Sequence, residues 1–272
     1  MSRRPGFLVY GLLTAFVLGS AGPLYWSLLV GSHEKDVVTK RVPPLLPGGH
    51  FFDNAQRVFE TVDFWKALAN SLVVSTVCAT SVVFFCTLAG YAFAKLRFRG
   101  RDGLLVFVVA TLAVPTQLGV IPLFIQMAEL GWTGTLWAVM VPTLVTAFGV
   151  FWMRQYLVDA IPDELIDAAR VDGCSQFRIY WNVAVPAARP AAAILWLFTF
   201  MTVWTDFFWP MIALPATNPT VQIALQQLQS GYYVDYSLVL CAAVLSTVPL
   251  LALFVLTGRQ LVAGIMQGAV KG

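Results

Sequence analysis

The chain has 272 residues, of which 58% are hydrophobic and only 11% charged. A soluble domain carries roughly 25% charged residues, and a mean hydropathy of +0.76 leaves too little charge to build a water-facing surface. The net charge of +3 is too small for a nucleic-acid partner, so the composition describes an integral membrane protein sitting in a lipid bilayer.

A transmembrane helix needs about 20 mainly apolar residues. The apolar pattern predicts six such spans, over residues 7–30, 67–94, 104–127, 134–153, 191–214 and 237–258. The first has a second reading. Arg3-Arg4, the apolar run 7–18 and the small residues Gly19-Ser20-Ala21 also suit a cleavable signal peptide. The apolar run resumes over 24–30 and reaches spanning length, which favours a retained span. The polar stretch 31–66 is rich in turn residues at Pro43-Pro44 and Pro47-Gly48-Gly49, and a helical pattern follows from Asn54 to Phe64. Pro115, Pro122, Pro142 and Pro210 fall within the third, fourth and fifth spans. Membranes tolerate such prolines where neighbouring helices satisfy the freed carbonyls.

Basic residues set the orientation. With the N-terminus inside, the inner segments hold Arg3, Arg4, Lys95, Arg97, Arg99, Arg101, Arg154, Arg170, Arg178, Arg189, Arg259 and Lys271. The outer ones hold only Lys35, Lys40, Arg41, Arg57 and Lys66. Both termini are therefore expected to be cytoplasmic. Cys78, Cys86 and Cys241 lie in apolar runs and read as buried thiols, and Cys174 stands alone in a polar segment. His33 and His50 have no Cys ligand near them, so no metal site is expected.

The inner loop 154–190 is long and patterned. Pro162 suits the first turn of a helix, with Asp163 and Glu164 at the positive end of its dipole. Leu165, Ala168, Ala169 and Asp172 follow at helical spacing, and Gly173 reads as the stop. Ser175 suits the cap of a second short helix, bearing Phe177, Tyr180 and Trp181 and ending before Pro186, with Pro190 opening the fifth span. Paired alanines let another surface approach closely, and three aromatics call for cover. An amphipathic helix lying on headgroups is the alternative. Such a helix prefers a basic polar face, whereas this one carries Asp163, Glu164, Asp167 and Asp172. A protein partner fits better.

The stretch from Ile161 to Gly173, continued to Val185-Pro186, resembles the E-A-A…D-G…L-P coupling loop of binding-protein-dependent ABC importers. Asn70-Ser71, Gly90-Tyr91-Ala92-Phe93-Ala94, Trp204-Thr205-Asp206-Phe207 and the ending Gly268-Ala269-Val270-Lys271-Gly272 extend the likeness over most of the chain. The ending is similar to the carbohydrate branch, the maltose-transporter G-type permeases. Asp167 stands where the motif usually has Glu, Cys174 where Ala is common and Thr205 where Asn is common.

The resemblance implies an all-α integral membrane fold, the six-helix transmembrane domain of a type I ABC importer with cytoplasmic coupling helices. It implies a first helix and external segment over 1–66, a permease domain over 67–258 containing the coupling loop 154–190, and a cytoplasmic tail over 259–272. Glu164, Asp167, Ala168, Ala169, Asp172 and Gly173 would carry coupling, and the tail residues Gln267, Lys271 and Gly272 would contact the ATPase. The partners implied are a second permease subunit, a dimer of cytoplasmic ATPase subunits and an extracytoplasmic sugar-binding protein. The chain itself would hold no cofactor; ATP and Mg would sit on the ATPase. Consistently, no Gly-Lys pair exists here to build a phosphate-cradling loop.

A path for a polar solute needs polar or aromatic side chains at membrane depth. The candidates are Asn70, Thr116, Gln117, Thr202, Trp204, Thr205, Asp206 and Trp209. Trp204 and Trp209 equally suit an interfacial aromatic belt, and Asp206 is the one carboxylate inside an apolar run. An ATPase-independent transporter is disfavoured by the absence of charged relays or visible repeats. A membrane enzyme is disfavoured by the lack of a nucleophile–base pair. A non-sugar solute remains compatible with the loop alone.

Overall fold

The computed structural model describes residues 6–39 and 44–269. Among these the regular structure is helical: α1 (Phe7–Gly31), α2 (Phe51–Thr61), α3 (Phe64–Lys95), α4 (Arg101–Thr111), α5 (Val120–Glu129), α6 (Leu136–Met140), α7 (Ala147–Ala160), α8 (Asp163–Val171), α9 (Gln176–Ile179), α10 (Val185–Trp204), α11 (Phe208–Ala213), α12 (Val221–Gln227) and α13 (Tyr236–Ala269). Five helical stretches are long and apolar enough to cross a membrane: Phe7–Gly31, Phe64–Lys95, Leu136–Ala160, Gln176–Trp204 and Tyr236–Gly258. The pair α4 and α5 makes a sixth when taken as one bent span.

The departures from the expected spans have local causes. The third is no straight helix: its halves meet at 91°. Pro115 has no N–H and biases the residue before it towards extended backbone. Ala113 and Val114 accordingly close α4 with tight-turn bonds to Ala110 and Thr111 (3.1 Å each), and a 3-10 turn, Thr116–Gly119, leads into α5. The fourth span carries a 3-10 turn at Val141–Thr143, containing Pro142, before α7. α3 side chains bond carbonyls on either side of this turn: the Cys78 thiol donates to Met140 (3.7 Å), the Ser81 hydroxyl to Leu144 (3.0 Å) and the Cys86 thiol to Thr146 (3.5 Å).

The fifth span differs most. It runs from Gln176 to Trp204 rather than over 191–214, so the second loop helix does not stop before Pro186. A π-turn at Tyr180–Ala184 joins α9 to α10. Its widened hydrogen-bonding pattern accommodates a residue without an N–H. α2 lies a few residues earlier than the expected 54–64, and α13 continues past 258 to Ala269, making most of the expected tail helical.

Contacts divide the chain into two compact units, Met1–Trp65 with Ala224–Leu251, and Lys66–Ile223 with Ala252–Gly272. In the first, α1 is exposed until Leu29, Val30 and Gly31 are buried at its end. Buried Asn54 of α2 donates to the carbonyls of Gly31 (3.0 Å) and His33 (2.8 Å), satisfying acceptors that a helix end leaves free. Arg57 holds Asn54 (3.0 Å) and Asp235 (2.8 Å), and Asp235 accepts the Ser237 N–H (3.1 Å) at the start of α13. Burial pushes the Asp235 carboxyl up, but the bonds from Ser237 and Arg57 outweigh it and hold the pKa below its ordinary value.

Among the described residues of the second unit, α3 runs through two cores. One gathers Val82, Cys86, Tyr91, Met153, Leu157, Ile166, Ile179 and Tyr180; the other gathers Val74, Cys78, Met127, Met140, Trp209 and Ile223. Gly90 lets α3 and α7 touch: a Cβ there would lie 2.8 Å from the Arg154 nitrogen and from Met153 Cβ.

Candidate functional site

α8 is built as an anchored helix with a bare outer face. Pro162 is its N-cap, one position before the first turn where the sequence suggested it, with extended ψ of 142°. Asp163 and Glu164 occupy the first turn, where the helix dipole favours anions. At the other end Gly173 has φ +78°, the left-handed region that glycine alone enters without strain. The Cys174 N–H bonds the Ala169 carbonyl and the Gly173 N–H bonds that of Arg170, both at 3.0 Å. This is the Schellman closure of a helix. The Ser175 hydroxyl then accepts the Arg178 N–H at 3.3 Å and caps α9, as expected from its position.

Three attachments fix α8 and α9 to the rest of the unit. Ile166 is buried in the core, with half-buried Ala169 packed beside it. Lys95, the last residue of α3, donates to Asp163 (2.8 Å) and to the Val158 carbonyl near the end of α7 (3.3 Å). The lysine side chain is only 4% exposed against 79% for the aspartate, and its hydrogen bond and charge hold the Asp163 carboxyl below its usual pKa. Tyr91, also on α3, donates to the Gln176 side chain (3.2 Å) and packs its ring 5.6 Å from that of Tyr180. Tyr180 is thus buried, not exposed as its sequence context suggested; Phe177 and Trp181 are exposed.

What stays open is the outward face of α8. Glu164, Leu165, Asp167, Ala168, Val171 and Asp172 are all exposed. Glu164, Leu165, Ala168, Val171 and Asp172 follow the helical repeat and share one stripe, while Asp167 pairs with Arg170 at 3.0 Å. Small Ala168 lies between two apolar and two acidic neighbours, a surface suited to close approach by another protein. Lys95 and Tyr91 were legible only as a charge count and a motif letter; their role depends on where α3 ends in space. Gln267 lies in α13, whose side chains from 259 onward are undescribed, and Lys271 and Gly272 lie outside the described residues.

The path candidates are spread over several elements. The Asn70 amide donates to Asn218 (3.0 Å) and to the Pro219 carbonyl (2.9 Å). Thr116 and Gln117 are exposed in the turn between α4 and α5. Thr202 and Thr205 are exposed near the end of α10 and bond back to its carbonyls. Trp204 is 2% exposed, stacked on Phe200. Trp209 is 8% exposed and donates to the Ala138 carbonyl at 2.9 Å. Asp206 lies in the break beyond Trp204, outside the span, where its carboxylate accepts the Phe208 N–H (3.1 Å) at the start of α11. Among the described residues no group of His, Cys, Asp or Glu is placed to hold a metal ion.

Residues 86–265, well over half of the chain, match the family model described as binding-protein-dependent transport system inner membrane component. The Lactose transport system permease protein LacG of Rhizobium radiobacter is 31% identical, covering 99% of this chain and 97% of that protein. The Arabinooligosaccharides transport system permease protein AraQ of Halalkalibacterium halodurans is 33% identical over 77% of this chain and 75% of that protein. A solved bacterial ABC transporter involved in the import of the acidic polysaccharide alginate has the same fold. Its TM-score is 0.78 at 24% identity, covering 95% of this chain and 99% of that one. The chain belongs to the family of binding-protein-dependent transport system inner membrane components, the non-catalytic permease subunits of ABC importers.

Proposed function

We propose that this permease moves a sugar, an oligosaccharide handed over by an extracytoplasmic binding protein, through a path completed by a second permease subunit. ATP is bound with Mg and hydrolysed by a pair of separate cytoplasmic ATPase subunits. The chain lies in the cell membrane with both termini cytoplasmic, which follows from the distribution of Lys and Arg.

The observation that carries this reading is α8: a helix stapled to the second unit by Ile166 and Lys95, yet offering an uncovered stripe around Ala168. A surface so fixed transmits force, because a push on it displaces packed helices as a body rather than bending a loop. Glu164, Asp167, Ala168, Ala169, Asp172 and Gly173 are the coupling residues, the acids supplying polar contacts, Ala168 close approach, Ala169 the seat of the helix on its core and Gly173 the turn. Gln267, Lys271 and Gly272 reach the ATPase from the tail. The names of LacG and AraQ support a carbohydrate. Exposed Thr116, Gln117, Thr202 and Thr205 offer the hydroxyl and amide groups that sugars bind. Asp206 and buried Trp204 and Trp209 shape the path's wall, while Asn70 holds Asn218 and Pro219 beside it.

The test is uptake of labelled oligosaccharide by proteoliposomes holding the assembled complex. Ala169→Trp and Gly173→Pro should insert normally and lose uptake at least tenfold. Wild-type uptake in both variants, or uptake by the chain without an ATPase, overturns the reading.

A further inference from the structure

α3 is held by side-chain bonds at both ends, to segments with different tasks. At one end Lys95 and Tyr91 grip Asp163 and Gln176, on either side of the α8 turn. At the other, Lys66 donates to the Thr217 carbonyl (2.8 Å), Asn70 holds Asn218 and Pro219, and the Ser71 hydroxyl accepts the Val221 N–H (2.8 Å). The helix between contains no proline, passes through both cores, and spans about 38 Å from Asn70 to Lys95 at 1.5 Å per residue. The segment it reaches is itself tied to the end of the fifth span, where Gln222 donates to the Trp204 carbonyl (3.3 Å).

We propose that α3 is the rod that carries displacement of the α8–α9 loop to segment 217–222, with Lys95 as the clip at one end and Asn70 at the other. Asn70 then acts as a positioning residue, its amide hydrogens occupied by Asn218 and Pro219. Lys95 suits the task because its ammonium is buried and bonds two elements at once, α8 through Asp163 and α7 through Val158. Any shift of α8 relative to α3 must break this charge-assisted bond and leave the ammonium of Lys95, a side chain only 4% exposed, without its carboxylate, so the two move together. The inference rests on α8 being the ATPase handle, but its mechanical content does not need the identity of the solute.

Hydrogen exchange on the full chain in lipid nanodiscs tests the rod directly. Lys95→Met keeps the buried stem and removes the charge. It should speed exchange at the 217–222 amides at least threefold, and the swap Lys95→Asp with Asp163→Lys should restore most of the protection. Faster exchange confined to 163–171, with 217–222 at wild-type rates, overturns the proposal. In the reconstituted complex, Lys95→Met and Asn70→Ala should each lower uptake per ATP hydrolysed about tenfold at an unchanged half-saturating sugar concentration. A changed half-saturating concentration with intact uptake per ATP returns Asn70 to the sugar path and overturns its assignment here. A wild-type complex without ATP-driven sugar uptake defeats the assigned function instead, and leaves the exchange result to decide the rod.

Discussion

Two glycines matter for opposite reasons. Gly173 has open space around it and is required by its φ of +78° alone. Replacing it with Val should cost about 1–2 kcal/mol, while Asn, which tolerates the left-handed region, should cost less; thermal unfolding of the purified chain ranks them. Gly90 has ordinary backbone but no room, since a Cβ would meet the α7 backbone. Gly90→Leu should destabilise by about 1–3 kcal/mol through overpacking, seen as a lower unfolding midpoint. Asp235 supplies a pH signature. Its folded pKa lies below the ordinary value, so it stabilises the fold above the unfolded carboxyl pKa and that stability is lost as pH falls through the folded one. Removing Arg57 leaves burial less opposed and raises the folded pKa. The acid unfolding midpoint of Arg57→Gln should therefore move to higher pH than that of the wild type, and an unmoved midpoint would show that Ser237 and the Leu238 N–H hold the carboxylate without it.

At the scale of elements, the two broken spans are held by different means. The fourth is stitched to α3 through Cys78, Ser81 and Cys86, and α7 restarts from Thr146, whose hydroxyl accepts the Gly149 N–H at 3.1 Å. Thr146→Ala should cost about 1 kcal/mol and Thr146→Ser much less, measurable by denaturation in detergent. The bend between α4 and α5 centres on Pro115 and has no such stitching from neighbouring side chains among the bonds described. Pro115→Ala should let residues 112–118 join the two helices. Spin labels at Val106 and Ile125 should then separate towards about 28 Å, the span of a continuous helix; an unchanged distance would place the cause of the bend in tertiary packing.

For the whole molecule the decisive property is which side each segment faces. In a chain freed of its native cysteines, Phe52→Cys should react with an impermeant maleimide in intact cells, and Val171→Cys only after permeabilisation. Both native side chains are exposed, at 83% and 88%, so accessibility within the chain does not limit either reaction. The reverse pattern would invert the bundle and move α8 away from any cytoplasmic ATPase.

Composition, the lengths of the apolar runs and the alternation of basic segments were enough to read a multi-span helical membrane protein, because lipid leaves a chain few other ways to satisfy its backbone. The α8 turn was legible as well: Gly173, Ser175 and the acidic first turn are local chemistry, decided within a few residues. What only the tertiary structure decided was anything resting on a partner distant in sequence. Pro186 read as a helix end until the π-turn absorbed it, and Tyr180 read as exposed until Tyr91 covered it. That Asn70 bonds Asn218, Trp204 stacks on Phe200 and Trp209 bonds the Ala138 carbonyl was likewise not legible in the sequence. Lys95 was one base among many in a sequence count, and became a clip because α3 ends where α7 and α8 meet. Local rules set each helix and cap; which side chains those helices bring together depends on packing that no window of sequence contains.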